Sequence, residues 1–346
     1  MPFFAFSPAE LSYLYTSLSS SPPVRPDSRD STQFRPLSAE TNILPSTNGS
    51  AHLSFSDGSE AIAGIKLEVE KTVQIGVQEG DDHMDIDSGE REMKYGSPDW
   101  VTLTLTLPGL RDDDGSLVFL EQMLREPLIS PSSSTSQSLQ DALIINKHWH
   151  WHIYIDVVLI SPFGLSSYPL PLLSLNVYLA LCDTRVPRLK SQGEEDPVAD
   201  DDWEASGYLY GRGARLAKPA FTLLVLVVGG NMIFDPSREE LAVGDAILAI
   251  SVRLAMRSEK EEFRILAVRM IETPARDTMK GVPALGESEE GQDVPGVWKP
   301  RLGGVKRSLL KDVTKVVMGE DGKGGVAREV VDGLEGFLVK EASTGG

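Results

Sequence analysis

One cysteine, Cys182, in 346 residues excludes an internal disulfide framework and any zinc cage built from thiolates, and fits a reducing compartment. Long apolar runs are missing as well. The stretch from Phe221 to Val228, interrupted only by Thr222, falls far short of the roughly 20 residues a spanning helix needs, so no transmembrane segment is expected. The opening Met1-Pro2-Phe3-Phe4-Ala5-Phe6 has neither a basic flank nor an extended apolar segment, and predicts no secretory signal. Basic residues are scarce: 33 against 51 acids, a net charge of −18. That balance ordinarily argues against a polyanionic partner, because neutralising phosphates takes clustered Lys and Arg. Its distribution weakens the argument. Residues 79–92 carry seven acids and one Arg, and residues 194–204 carry seven acids and no base, which leaves only −5 for the rest of the chain. Most of the acidity thus belongs to two segments that read as solvated loops.

What is present is globular: 41% hydrophobic residues and enough length for one large or two ordinary domains. A first helix is predicted over Ala9 to Leu18, ended by the Ser-Pro run at Ser19 to Pro23. Ala51, Leu53 and Phe55 alternate with polar residues up to Asp57-Gly58, and Ala61, Ala63, Ile65, Leu67 and Val69 alternate after it, the pattern of a hairpin. Val101 to Leu107 alternates strictly with threonine and predicts a strand; Leu117, Leu120, Met123 and Leu124 follow at helical spacing. Trp149 to Leu159 is a long strand by period, and Leu170 to Cys182 an apolar helix. A second hairpin is expected over Phe221 to Phe234, with a helix start at Asp235-Pro236-Ser237-Arg238-Glu239-Glu240, then strands over Leu248 to Met256 and Phe263 to Ile271. Equivalent apolar stripes from Val305 to Val317 and from Val326 to Leu338 predict two amphipathic helices. The order is that of an α+β fold with mixed, mostly antiparallel sheets and packed helices. Its expected parts are an N-terminal helix at 1–22, a main domain at 23–272, a linker at 273–300 and a helical pair at 301–340. The main domain would carry a disordered acidic insertion at 76–98, a Ser-rich insertion at 130–138 and an acidic loop at 191–205.

Candidate chemistry is sparse. His148, His150 and His152 share one face of a strand, a spacing zinc sites use, but a half-exposed strand face explains the same alternation and no further histidine lies near in sequence. Cys182 lies in an apolar helix without a local base and reads as a packed small hydrophobe. Gly211-Arg212-Gly213 lacks the third glycine of a dinucleotide loop, and residues 319–325 lack the Lys-Ser or Lys-Thr of a P-loop. Asp235, Glu239, Glu240 and Asp245 could ligate Mg²⁺, yet capping and dipole chemistry account for the first three. Basic residues cluster at Arg185, Arg188 and Lys190, and at Arg212, Arg215 and Lys218, each a phosphate-contacting patch or a solvated rim.

Several segments together carry a resemblance. Arg25-Pro26-Asp27-Ser28-Arg29 with Phe34-Arg35-Pro36 is similar to the R-x-D-G-R…R opening of RNase PH-type domains, with Ser28 in place of the glycine. Gly49-Ser50-Ala51, Gly58 and the strand to Lys66 resemble that family's first hairpin, and Trp151 to Ile160 with Asp156 its central strand. Thr184-Arg185-Val186-Pro187 is similar to the end of the following helix, and Asp235-Pro236-Ser237-Arg238-Glu239-Glu240 to the D-P-T-x-x-E-E stretch of the eukaryotic exosome's ring subunits. The resemblance, to RNase PH-type ring subunits of the RNA exosome, covers roughly Arg25 to Ile271.

It implies an RNase PH-like domain with a ribosomal-protein-type βαβ core, in a pseudo-hexameric ring around a channel for single-stranded RNA. Other RNase PH-like ring subunits and RNA-binding cap subunits are the implied partners, in nucleus, nucleolus and cytoplasm, with rRNA maturation and RNA turnover as the task. No membrane role is implied. Active members hold phosphate at a helix N-terminus and a metal on an Asp-bearing strand. Here Asp112, Asp113 and Asp114 stand beside the lone Arg111, and Leu223 to Val228 offers no side-chain oxygen. The expectation is therefore a non-catalytic subunit without a cofactor, with Arg185, Arg188, Lys190, Arg29 and Arg35 as candidates for RNA or neighbour contact. The alternatives are a phosphorolytic 3'-5' exoribonuclease in its own right and a His-dependent metalloenzyme.

Overall fold

The computed structural model describes residues 6–72, 95–131, 137–161, 168–191, 193–211, 217–257, 260–271, 304–319 and 324–344. Most of the acidic insertion, residues 132–136 of the Ser-rich insertion, the linker, and Arg212 and Arg215 lie outside them.

Helix α1 (Pro8–Ser19) starts on a capping box between Ser7 and Glu10. The first sheet follows: β1 (Leu37–Thr41), β2 (Gly49–Phe55), β3 (Glu60–Lys71), β4 (Val101–Thr106), then α2 (Gly115–Leu128), α3 (Leu139–Ala142) and β5 (Trp149–Leu159). Its order is β1-β2-β3-β5-β4. The neighbours pair antiparallel except β4 and β5, which run parallel across the α2 connection and form the βαβ unit. Helix α4 (Leu170–Asp183), the two-residue strands β6 (Arg185–Val186) and β7 (Gly207–Tyr208), and a second sheet complete the main body. That sheet contains β8 (Ala220–Val228), β9 (Asn231–Phe234), β10 (Ala246–Arg257) and β11 (Lys260–Ile271), ordered β11-β10-β8-β9 and antiparallel throughout, with α5 (Arg238–Leu241) between β9 and β10. The mixed, mostly antiparallel α+β fold expected from the sequence is the fold observed. Helices α6 (Arg307–Met318) and α7 (Val326–Thr344) pack through Val313, Val317, Val326, Val330, Val331 and Leu334.

The burial pattern explains why these segments adopt these elements. Every residue of α4 from Leu170 to Leu181 is buried, because the helix packs against β2 and β3 on one side and β8 on the other. A helix apolar all round needs such a position. Strand β8 is buried at all nine residues. Strand β5 buries Trp151, Ile153, Ile155, Val157 and Leu159 on one face, as its alternation predicts. Strand β1, with the polar sequence Leu37-Ser38-Ala39-Glu40-Thr41, shows almost no apolar period; it exists because β2 offers it an unpaired edge. Among the described residues no helix is long and apolar enough to cross a membrane.

Cys182 packs against the core near the end of α4. Burial pushes its thiol up to about 12, with Lys218 opposing the rise and Glu335 adding to it. At pH 8 almost no thiolate exists. Alkylation by iodoacetamide is therefore expected to run at least ~100-fold slower than with free cysteine until denaturant is added; labelling at the free-thiol rate in native buffer would contradict this environment.

Candidate functional site

The RNase PH-like opening and the Asp-Pro-Ser-Arg-Glu-Glu segment, over 200 positions apart in sequence, meet in one buried ion network. The Arg25 side chain and the Glu240 carboxylate are both fully buried; Nε donates to Oε1 at 2.7 Å and Nη2 to Oε2 at 2.8 Å. The remaining guanidinium hydrogens reach the carbonyls of Asp30, Gln33, Phe234 and Asp235. Arg29 donates to Asp27 Oδ2 at 2.6 Å and to Asp235 Oδ2 at 2.9 Å. Arg35 donates from Nε to Asp235 Oδ2 at 2.9 Å and from Nη2 to Asp235 Oδ1 at 2.5 Å, and also pairs with Asp57. Burial works against the Arg35 charge, but Asp235, followed by Asp57 and Glu240, outweighs it and raises the pKa. Ser28, where the RNase PH pattern has glycine, sits at φ 61°, a conformation glycine adopts without the Cβ penalty.

This corrects the capping account of Asp235. The helix cap is Ser237, whose hydroxyl accepts from the Glu240 N–H in a reciprocal capping box. Asp235 takes φ 47° and turns its carboxylate toward Arg29 and Arg35. Glu240 both closes the capping box and neutralises Arg25. A sequence window around either acid shows only the local option, and the distant arginines decide otherwise.

An open groove of about 620 Å³ adjoins the network, lined by Arg29, Arg35 and Arg238 but also by Asp27, Asp57 and Glu239. The guanidiniums of Arg29 and Arg35 are already held by carboxylates of this chain. An incoming phosphate would have to displace those partners and face three acids.

The second basic cluster lies elsewhere. Arg185 is half-buried, stacked 4.9 Å from the Tyr208 ring centre, with Nη2 donating to the Tyr208 hydroxyl at 3.0 Å. Arg188 is exposed. Lys190 is exposed and pairs with Asp200 at 3.1 Å and Asp201 at 3.5 Å. These acids belong to the loop that reads from sequence as solvated. Most of its residues are exposed, and the loop also folds back: Lys190 N–H donates to the Val198 carbonyl, and the Trp149 indole donates to Asp196. Backbone bonds, with Asp200 N–H donating to the Arg188 carbonyl as well, and the exposed Lys190 pair tie the acidic strap to the segment beside it.

At the start of α2, Asp114 is the N-cap and accepts from the Ser116 N–H at 2.8 Å, while exposed Arg111 pairs with Asp113 at 3.1 Å. One of the N–H donors that a bound anion would use, that of Ser116, is thus already taken by a carboxylate. Strand β8 presents only buried apolar side chains from Leu223 to Val228.

The histidines separate. His148 precedes β5 and is exposed, whereas His150 and His152 lie beside Glu70 of β3, the residue paired in register with His150. His150 stacks on Trp100 with ring centres 4.2 Å apart, and His152 on Tyr154 at 4.3 Å. Burial lowers the His150 pKa despite the opposing charge of Glu70, so the ring is neutral near pH 7. Burial raises the Glu70 pKa, but hydrogen bonds from Tyr154 and His152 outweigh it, and the carboxyl stays below its usual value. Sequence reasoning missed Glu70, whose partnership depends on the pairing of β3 with β5.

Comparison with known proteins follows the geometry. Residues 33–187 match the model of the 3' exoribonuclease family, domain 1. The chain is 34% identical over 252 residues to the exosome complex component RRP42 of Saccharomyces cerevisiae, covering 71% of this chain and 81% of that protein. It is 29% identical over 262 residues to exosome complex component rrp42 of Schizosaccharomyces pombe, covering 70% and 77%. Among solved structures it is similar to an archaeal exosome core chain, with a TM-score of 0.54 at 15% identity over 94% of this chain and 96% of the other.

Proposed function

This chain belongs to the RRP42 family of RNase PH-like exosome core components, and from that membership we propose that it is a non-catalytic ring subunit. It supports 3'-5' RNA processing and degradation by holding its neighbours in place and lining part of a channel for single-stranded RNA. The observation that supports this reading is the α2 start, the helix end at which the resemblance leads us to expect phosphate, where Asp112, Asp113 and Asp114 crowd together and Asp114 already caps the helix. Carboxylates there oppose an anionic nucleophile. The apolar β8 supports it, since a divalent ion needs oxygen ligands.

In this reading Arg29 and Arg35 act through the buried network, shaping the surface that neighbours meet. Arg185 and Arg188, with Lys190 once its acidic strap is displaced, touch RNA or an adjacent subunit. The partners are the other RNase PH-like ring subunits and RNA-binding cap subunits, in a hetero-oligomer found in nucleus, nucleolus and cytoplasm. The division into an N-terminal helix, a main domain at 23–272 with its insertions, a linker and a C-terminal helical pair belongs to the same proposal.

The test is to incubate the purified chain, alone and in its reconstituted ring, with end-labelled single-stranded RNA, Mg²⁺ and inorganic phosphate. No nucleoside diphosphate attributable to this chain is expected. Release of nucleoside diphosphates by the chain alone would overturn the non-catalytic reading and make it a phosphorolytic enzyme.

A further inference from the structure

Three polar side chains on the outer face of the first sheet converge without a complete set of hydrogen bonds. Ligand atoms of Glu70, His150 and His152 all lie within 4.8 Å of one another. The Glu70 carboxylate oxygen Oε2 is 3.0 Å from His152 Nδ1 and 3.9 Å from His150 Nε2. In tetrahedral coordination at about 2.0–2.1 Å, neighbouring ligand atoms stand about 3.3 Å apart. The two distances bracket that value.

Each of the three groups is also gripped on its far side. Thr72 Oγ1 lies 3.0 Å from His150 Nδ1, Thr102 Oγ1 lies 2.9 Å from His152 Nε2, and the Tyr154 hydroxyl donates to Glu70 Oε1 at 2.8 Å. Orienting contacts to the non-ligating atoms are what a metal site requires of its surroundings.

An ordinary hydrogen-bond network accounts for only part of this. If His152 carries its proton on Nδ1, it donates to Glu70 and accepts from Thr102, and both residues are satisfied. His150 is not. Its Nε2 is buried without a partner among the described residues, on a side chain only 5% exposed, and 3.9 Å is too long for a hydrogen bond to Glu70. With the proton on Nδ1 facing Thr72, Nε2 is a bare lone pair beside the carboxylate; with Thr72 donating to Nδ1, the Nε2–H stands too far from Glu70 to bond it, so neither tautomer satisfies Nε2. A cation between Nε2 and the carboxylate supplies the missing partner.

We propose that Glu70, His150 and His152 form a binding site for a divalent transition-metal ion of the zinc class, clasping the end of β3 to β5. Two imidazoles and one carboxylate suit Zn²⁺, and water completes the shell on the side where Glu70 is open to solvent. The clasp does not depend on the proposed place in the ring or on the proposed lack of phosphorolysis.

The experiment uses the full chain without a histidine tag, stripped with chelator, then titrated with Zn²⁺. Bound metal is counted after gel filtration, and thermal unfolding is followed in parallel. One equivalent retained, with the midpoint raised about 5 °C at 100-fold excess over Kd, is expected. Glu70→Gln is expected to abolish stoichiometric retention. Thr102→Val leaves all three ligands in place and removes only the group that orients His152; it is expected to weaken Zn²⁺ about 10–100-fold. Because Thr102 lies on a partly exposed strand face, this variant carries the test even if Glu70→Gln does not fold. Less than half an equivalent in the wild type, an unmoved midpoint, or undiminished affinity in Thr102→Val would each overturn the site.

Discussion

Glu240→Ala is expected to destabilise the protein by about 3–5 kcal/mol, the range for breaking a buried ion pair from one side. Both partners are fully buried, and the pairing uses two parallel N–H···O bonds at 2.7 and 2.8 Å, so the variant leaves the guanidinium with only the longer contact of Nε to Asp27 Oδ1, at 3.7 Å, in place of a bidentate carboxylate. Its loss also removes the capping box of α5. Arg25→Met is expected to cost at least as much. It leaves the buried Glu240 carboxylate without its cation and removes a donor from the backbone carbonyls of Asp30, Gln33, Phe234 and Asp235, of which Gln33 and Asp235 keep Arg29 and Asp30 keeps the Gln33 N–H. Arg25→Lys is expected to rescue little, because an ammonium cannot reproduce the planar fork. Denaturant midpoints at unchanged slope are the measurement. A loss below about 1 kcal/mol for Glu240→Ala would mean that water enters the network and that the pair is a surface contact in energetic terms.

Gly49→Ala is expected to cost about 2 kcal/mol, and Gly49→Val about 3, the upper part of the overpacking range. A Cβ at this position would stand 2.6 Å from the Thr184 Cα and 2.7 Å from the Ala180 carbonyl oxygen, both backbone atoms at the C-terminal end of α4. Neither can rotate away. The helix end is fixed to the same strand by further bonds: Arg185 N–H donates to the Asn48 carbonyl at 2.8 Å, and Asp183 accepts from Ser50 N–H at 3.1 Å. Relief therefore requires moving α4 off β2, which shifts Arg185 from its stack on Tyr208. Gly115→Ala at the start of α2 is the control, since nothing lies within 4 Å of its added Cβ. It is expected to be neutral or slightly stabilising. Equal stability of the Gly49 and Gly115 variants would show that α4 and β2 are not in the tight contact described.

Resemblance and local pattern made the family and most elements legible. The threonine alternation of Val101 to Thr106, the uninterrupted apolar run that became β8, and the tight turn at Asp57-Gly58 each appear where the sequence predicts them, with Gly58 at φ 81°. Strand β1 escaped detection because an edge strand needs no apolar face of its own. The acidic loop after Ser191 is exposed at most of its residues, as its charge predicts; the pair that ties Asp200 to Lys190 is what the sequence did not show.

What the sequence determined alone is what neighbouring residues settle among themselves: period, turn, cap, and the crowding of Asp112 to Asp114 at the head of α2. Side-chain partnerships between distant segments were decided by tertiary structure. Asp235 looked like a helix cap until Arg29 and Arg35 arrived from the other end of the domain, and Glu70 drew no notice until β3 paired with β5 in the register that sets it opposite His150. A charge or a lone pair acts over a few ångströms in space, so its partner is chosen by the folded chain's register and packing, about which a one-dimensional pattern carries no information.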